Sequence, residues 1–314
     1  MIRQTSFAFL LALALACAAA AAPGSCSAPS IDPTLCSRRY FTMPRVPYGG
    51  PLSTSLDAFH WYNPSQLFDG KSLQDYFRFS VVWWHTFLGD GRDIFGGGSK
   101  TFPWHAAADP MQRARDTVDA AFELFEVLGV KFYAFHDRDV APTAFLADGR
   151  VDMEQTNANL MEIVRYMKTK QDQTGVQVLW GTANLFSHRV YKDGAATNPD
   201  FSVLVHAAWQ VKHALEATHF LGGANYVLWG GREGYYSLLN TRMDKEKQHL
   251  AAFLRAVADH ADSIGFTGKL LIEPKPCFAH CLFVTLWQAS CSSSPSRASP
   301  RCTSTSRPSL TVFL

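Results

Sequence analysis

Between residues 37 and 276 the chain has no cysteine, its seven cysteines being Cys17, Cys26 and Cys36 near the start and Cys277, Cys281, Cys291 and Cys302 near the end. A disulfide framework is thereby excluded for the intervening body, which must be held by its core. Acidic residues are missing from both ends: residues 1–22 hold Arg3 and no acid, and residues 277–314 hold Arg297, Arg301 and Arg307 and no acid. Residues 23–276 therefore carry 25 basic and 27 acidic groups, a body of about −2. No basic footprint exists, which excludes nucleic acid as a partner class. Asn-x-Ser/Thr sequons are also absent, so N-glycosylation is not implied. Long apolar runs are lacking apart from one at the start, and that one is shorter than the roughly 18–20 residues a membrane span needs.

What is present is a chain of 314 residues, 47% hydrophobic and 18% charged, enough apolar surface to exclude disorder of the whole. Its length fits one large domain or two small ones. Arg3, the apolar stretch Phe7 to Leu15 and the small residues Ala18 to Ala22 predict a secretory signal peptide over residues 1–22. That implies the secretory pathway, the ER lumen or the exterior, with an uncleaved anchor as the alternative. Residues 23–39 form a linker in which the spacing of Cys26 and Cys36 permits a disulfide.

From Arg78 onward two periods alternate. Phe79–Trp84, Lys131–Phe135, Val176–Trp180, Tyr226–Trp229 and Lys269–Ile272 are short, near-continuously apolar runs, as strands covered on both faces should be. Between them, Val118, Ala121, Phe122, Phe125 and Leu128 fall on one helical stripe. Leu160, Ile163, Val164 and Met167 form a second; Leu204, Ala208, Val211 and Leu215 a third; Leu250, Phe253, Leu254, Val257 and Ile264 a fourth. Five strands and four intervening helices imply right-handed β-α-β crossovers and a parallel sheet.

The polar residues follow the strands: His136, Asp137 and Asp139; Thr182 and Asn184; Arg232 and Glu233; Glu273 and Lys275. Carboxyl ends of strands carry the chemistry in barrels and open α/β sheets alike. An open nucleotide-binding sheet would want a glycine-rich turn after its first strand. Gly89 to Lys100 contains neither G-x-G-x-x-G nor Gly-Lys-Ser/Thr and reads as a loop.

Trp84-His85-Thr86-Phe87, Gly91-Arg92-Asp93-Ile94-Phe95-Gly96, Phe135-His136-Asp137-Arg138-Asp139, Trp180-Gly181-Thr182-Ala183-Asn184, Val227-Leu228-Trp229-Gly230-Gly231-Arg232-Glu233-Gly234 and Leu271-Ile272-Glu273-Pro274-Lys275-Pro276 stand in the order found in the longer class of D-xylose isomerase. The resemblance covers residues 40–276. It implies an α/β fold of the (β/α)8 TIM-barrel family, of which about the first five β/α units are present here. The implied activity is conversion of D-xylose to D-xylulose by a metal-assisted hydride shift, using two divalent cations, Mg²⁺ with Mn²⁺ or Co²⁺ as alternatives, in a homo-oligomer, usually a tetramer. By position, His136 resembles the histidine at the sugar ring oxygen, Asp139 the carboxylate that orients it and Lys275 the lysine at the reacting hydroxyl. Glu273 resembles a metal ligand. Trp84 and Trp229 resemble the tryptophans that wall the sugar, Phe95 the phenylalanine lent by a neighbouring subunit, and Thr182 a further substrate contact.

After Pro276 the resemblance stops. Residues 277–314 hold nine serines, no acid and no glycine, and are expected to be a disordered tail unrelated to the family, as a retained intron or a shifted frame would produce. Of the family's metal ligands, Glu273 alone remains, and one carboxylate cannot satisfy a six-coordinate hard cation. Cys277, His280 and Cys281 lack the partners a metal site requires. Two readings follow: an isomerase by resemblance whose chain does not turn over, or a catalytically dead fragment serving at most as a weak sugar-binding or interaction module.

Overall fold

Asp109 and Pro110 begin the first long helix for a clear reason. The Asp109 carboxylate accepts the N–H groups of Met111 and Gln112, proline needs no partner at the first helical position, and Gly129 ends the helix at φ 66°. Asp152 caps the next helix and Gly175 closes it at φ 73°, while Asp200 accepts Ser202 N–H at the start of the one after. The computed structural model describes residues 38–233 and 242–273, together with the backbone of one strand at Leu310–Val312. The signal peptide, most of the linker, Lys275 and the Cys277–Cys281 cluster lie outside the described residues.

A short antiparallel pair, β1 (Leu67–Phe68) and β2 (Lys71–Ser72), and a helical turn, α1 (Leu73–Tyr76), lead into the main sheet. That sheet contains β3 (Ser80–Val82), β4 (Phe132–His136), β5 (Gln177–Thr182), β6 (Asn225–Trp229), β7 (Lys269–Glu273) and β8 (Leu310–Val312), side by side in that order and all parallel. The crossovers carry α2 (Pro110–Leu128), α3 (Asp137–Val140) with α4 (Met153–Thr174), α5 (Phe201–Phe220) and α6 (Met243–Ser263). Strand order follows chain order without reversal. Crossovers of one hand in unbroken order wind the helices onto one face, the winding of a barrel, whereas an open doubly wound sheet reverses direction at a switch point.

Two apolar clusters hold the layers together. Trp83, Phe122, Phe125, Tyr133, Phe135, Ile163 and Met167 join α2 and α4 to β4. Phe125 stacks on Tyr133 with ring centroids 5.4 Å apart. Val211, Leu215, Tyr226, Leu250, Phe253 and Leu270 join α5 and α6 to β6 and β7. Each such large side chain contributes about 1.5–3 kcal/mol on burial. The body is also tied down at its start, where the Glu123 carboxylate of α2 accepts the N–H groups of Arg39, Tyr40 and Phe41 at 2.7–2.8 Å.

Two expectations need correction. The buried stripe of α5 runs through Val203, Ala207, Gln210, Val211, Ala214, Leu215 and Thr218, and Ala208 faces solvent. Val211 and Leu215 lie on it as expected and Leu204 packs against its edge, while polar Gln210 and Thr218 share the stripe and Ala208 alone of the expected residues falls outside it. In the tail, Leu310, Thr311 and Val312 pair with Leu270, Leu271 and Ile272, so these three residues depart from the expectation of a tail without structure. Leucine, threonine and valine suit a strand, and the edge of β7 offers unpaired backbone groups.

Candidate active site

His136 is the last residue of β4, and α3 begins directly after it. This abrupt turn folds Asp139 back onto the strand end. The Asp139 Oδ2 lies 2.6 Å from His136 Nδ1 and also accepts the His136 N–H at 3.3 Å. A carboxylate can only accept, so Nδ1 carries the proton and Nε2 keeps its lone pair. Both side chains are about nine-tenths buried, with 9% and 10% exposure.

Two aromatic side chains touch that imidazole and two more touch those. Trp84 opens a π-helical turn, Trp84–Leu88, and its ring is 4.2 Å from the imidazole. Trp180 of β5 is 5.6 Å from Trp84. Phe186 meets His136 edge-on at 5.3 Å and Trp229, at the end of β6, at 4.5 Å. The imidazole is thus in contact with two aromatic rings, Trp84 and Phe186, each of which carries a further indole beside it. Phe186 and Trp180 were not singled out from the sequence. Phe186 lies in a loop with no period, and the one signal for it is an aromatic ring soon after a strand end.

Register puts the remaining residues at the same end of the sheet. His136 pairs with Thr182, and Trp229 pairs with Glu273. Thr182 is buried and its hydroxyl donates to the Val227 carbonyl, which fastens β5 to β6. Phe95 does not join this site. The N–H groups of Phe95 and Gly96 donate to Asp93, and this turn presents Phe95 to solvent at 90% exposure. Glu273 is exposed at the end of β7.

Buried polar groups brace the floor. Glu233 accepts the N–H groups of Ala195, Ala196 and Thr197 at 2.9–3.2 Å and the Thr197 hydroxyl at 2.5 Å. Asp137 accepts Asn184 N–H at 2.8 Å; burial pushes its carboxyl up, with Arg138 and that N–H opposing. Glu246, in the first turn of α6, is raised to about 6 by burial and by the charge of Glu233. A Cβ on Gly231 would stand 2.1 Å from the Trp229 ring, so the absence of a side chain there allows the indole its place.

The two divalent cations implied by the resemblance do not fit the described residues. Among these, no group of three or more His, Cys, Asp and Glu side chains stands close enough to share an ion.

A parallel sheet wound in unbroken order, with an imidazole–carboxylate pair and aromatic rings at its carboxyl ends, has the architecture of a barrel-type α/β protein. Comparison by sequence is more specific. The chain is 47% identical over 243 residues to the xylose isomerase of Phocaeicola vulgatus, covering 77% of this chain and 54% of that protein. It is 50% identical over 232 residues to the xylose isomerase of Hordeum vulgare, covering 74% and 47%. With that of Paraburkholderia xenovorans it shares 50% over 234 residues, covering 74% and 52%. The chain is thus related to the xylose isomerases, aldose–ketose isomerases, over three quarters of its length, and spans about half the length of these curated relatives. No protein-family model matches it. Among solved structures, a 3-keto-D-glucoside 4-epimerase from E. coli aligns at TM-score 0.36 and 15% identity over 50% of each chain. A D-allulose 3-epimerase from Methylomonas sp. aligns at 0.37 and 14%, covering 58% of this chain and 55% of its own. Scores this low describe a loose likeness.

Proposed function

We propose that the described residues form the sugar-holding and ring-opening half of an aldose–ketose isomerase site for D-xylose, and that this 314-residue polypeptide does not by itself complete conversion to D-xylulose. The observation that carries the first part is the buried His136–Asp139 pair between Trp84 and Phe186. With Nδ1 held by Asp139, Nε2 takes the proton of the anomeric hydroxyl. The C1–O5 bond breaks as C1=O1 forms, and the imidazolium returns its proton to O5. Trp84 and Trp229 hold the ring by its C–H faces. Lys275 is assigned to the reacting hydroxyl by resemblance.

The second part rests on the donor set. Transfer of hydrogen between C1 and C2 builds negative charge on both oxygens, and each ~1.4 kcal/mol of lost stabilisation is a factor of ten in rate. The described residues gather no ligand shell there, so the chain stops at the open-chain sugar. The same shortage favours a sugar-binding module as the second reading.

The experiment is exchange NMR of ¹³C-labelled D-xylose. The full chain should accelerate exchange between the two anomers, and His136→Asn should lose about 10²-fold or more of that acceleration. Sugar binding without acceleration would favour the module; neither effect would overturn both. We also assign Phe95 to the site of a neighbouring copy, on the strength of its outward-facing turn and the resemblance. Residues 1–22 support entry to the secretory pathway, which N-terminal sequencing of the exported chain would check. Among the described residues, no helix is long and apolar enough to cross a membrane.

A further inference from the structure

The loop after β5 faces two ways. Phe186 turns to His136 and Trp229, whereas Asn184, Ser187 and His188 line a separate cavity of about 240 Å³ together with Arg138 and, from α5, His206 and Gln210. Among the described residues no carboxylate lines it.

The side-chain acceptors of Asn184, Gln210 and His188 are already engaged. Asn184 Oδ1 accepts Phe186 N–H and Ser187 N–H, the Asn184 carbonyl accepts Gln210 Nε2, and Gln210 Oε1 accepts the Tyr191 hydroxyl. His188 Nδ1 accepts Val190 N–H at 3.3 Å, which leaves the proton on Nε2. The donors left for an occupant are the Arg138 guanidinium, His188 Nε2–H, the Asn184 amide and the hydroxyls of Ser187 and Thr143, with the His206 ring beside them and Val151 the one apolar lining side chain. Arg138 is 17% exposed, and its nearest acid, Asp137, is 3.6 Å from its Nε.

We propose that this cavity binds a tetrahedral oxyanion, free phosphate or the phosphate group of a small ester, between Arg138 and His188. A planar, multi-donor guanidinium beside neutral hydrogen-bond donors is the chemistry that recognises such a group. His206 faces His188 with ring centroids 6.5 Å apart and planes 6° from parallel, and Tyr191 meets it edge-on. Burial first, then Arg189 and Arg138, hold the His188 imidazole below its ordinary value; burial, Arg138 and His188 do the same to His206. A bound anion opposes those cations and raises both. Because one loop carries Phe186 and Ser187, occupancy bears on the sugar site, but the proposal stands on the cavity and does not rest on the sugar reading.

The test titrates the full chain with inorganic phosphate, and separately with glycerol 3-phosphate, against chloride at matched ionic strength. The account expects saturable heat with phosphate or the ester, upward movement of the His188 and His206 titration midpoints by NMR, and about ten-fold or more weakening in His188→Gln and Arg138→Gln. Tighter binding of glycerol 3-phosphate assigns the site to an ester, and tighter inorganic phosphate assigns it to the free ion. A response no greater than chloride, or binding with unmoved imidazole midpoints, overturns the proposal. The midpoints are read on the unaltered chain, so the outcome does not depend on how well Arg138→Gln folds.

Discussion

At His136 the chemistry turns on which ring nitrogen holds the proton. Asp139→Asn keeps an acceptor near Nδ1 but removes the charge, so the imidazolium formed during ring opening loses its partner. Anomer exchange should fall about 10-fold or more, with ¹⁵N shifts showing less Nδ1 protonation. Glu233→Gln disturbs a different group: an amide offers one acceptor oxygen and turns an NH₂ toward donors that need acceptors. A loss of about 2–3 kcal/mol in urea unfolding is expected, and an unchanged midpoint would contradict the cage. His136 and Asp139 were singled out by the resemblance, and the spacing alone fits a helix cap equally well, since Asp139 also accepts the His136 N–H at the start of α3. The bond from the Thr182 hydroxyl to the backbone of the neighbouring strand was not legible, because cross-strand distance is invisible in one sequence. Phe186 had no pattern to betray it.

Among the elements, the strands of the body were readable because strands buried on both faces are continuous apolar runs. β4 to β7 match that reading closely, with β5 extended to Thr182. α5 was harder, since Gln210 and Thr218 are buried polar residues whose partners come from elsewhere in the fold or one turn back; Thr218, for example, donates to the Ala214 carbonyl. Neighbouring alanines give the test. Ala207 is fully buried and Ala208 is exposed, so Ala207→Leu should cost about 1–3 kcal/mol by overpacking. Ala208→Leu should leave the thermal midpoint nearly unchanged. Gly231→Ala drives a methyl into the Trp229 ring, and a clear loss of D-xylose affinity by tryptophan fluorescence is expected with little change in secondary structure.

Across the whole molecule, unbroken strand order settles what motif reading alone left open between barrel and open sheet. It also places every pre-Pro276 candidate that the structure describes, apart from Phe95, at one end of the sheet. β8 was not legible, because a three-residue strand at Leu310–Val312 carries too little pattern to stand out from a serine-rich stretch. Global stability should depend on pH through Glu246. Its carboxyl is raised from an ordinary 4.5 to about 6, so the folded chain binds that proton more tightly than the unfolded chain does. The contribution is fully present below the unfolded value and is lost as pH rises through about 6. Glu246→Gln should therefore raise the thermal midpoint more at pH 7.5 than at pH 5, and an equal shift at both would contradict the assignment.

The proposal of a ring-opening half-site without the ligand shell for hydrogen transfer has a direct test. Incubating the purified 314-residue chain with D-xylose and Mg²⁺, Mn²⁺ or Co²⁺, then assaying for D-xylulose, tests it most directly. No D-xylulose is predicted from the chain as it stands, while grafting a family-like continuation after Pro276 restores the product and Glu273→Gln in that graft abolishes it. Metal-dependent D-xylulose formation by the ungrafted chain, persisting after host isomerase is removed, would contradict the claim.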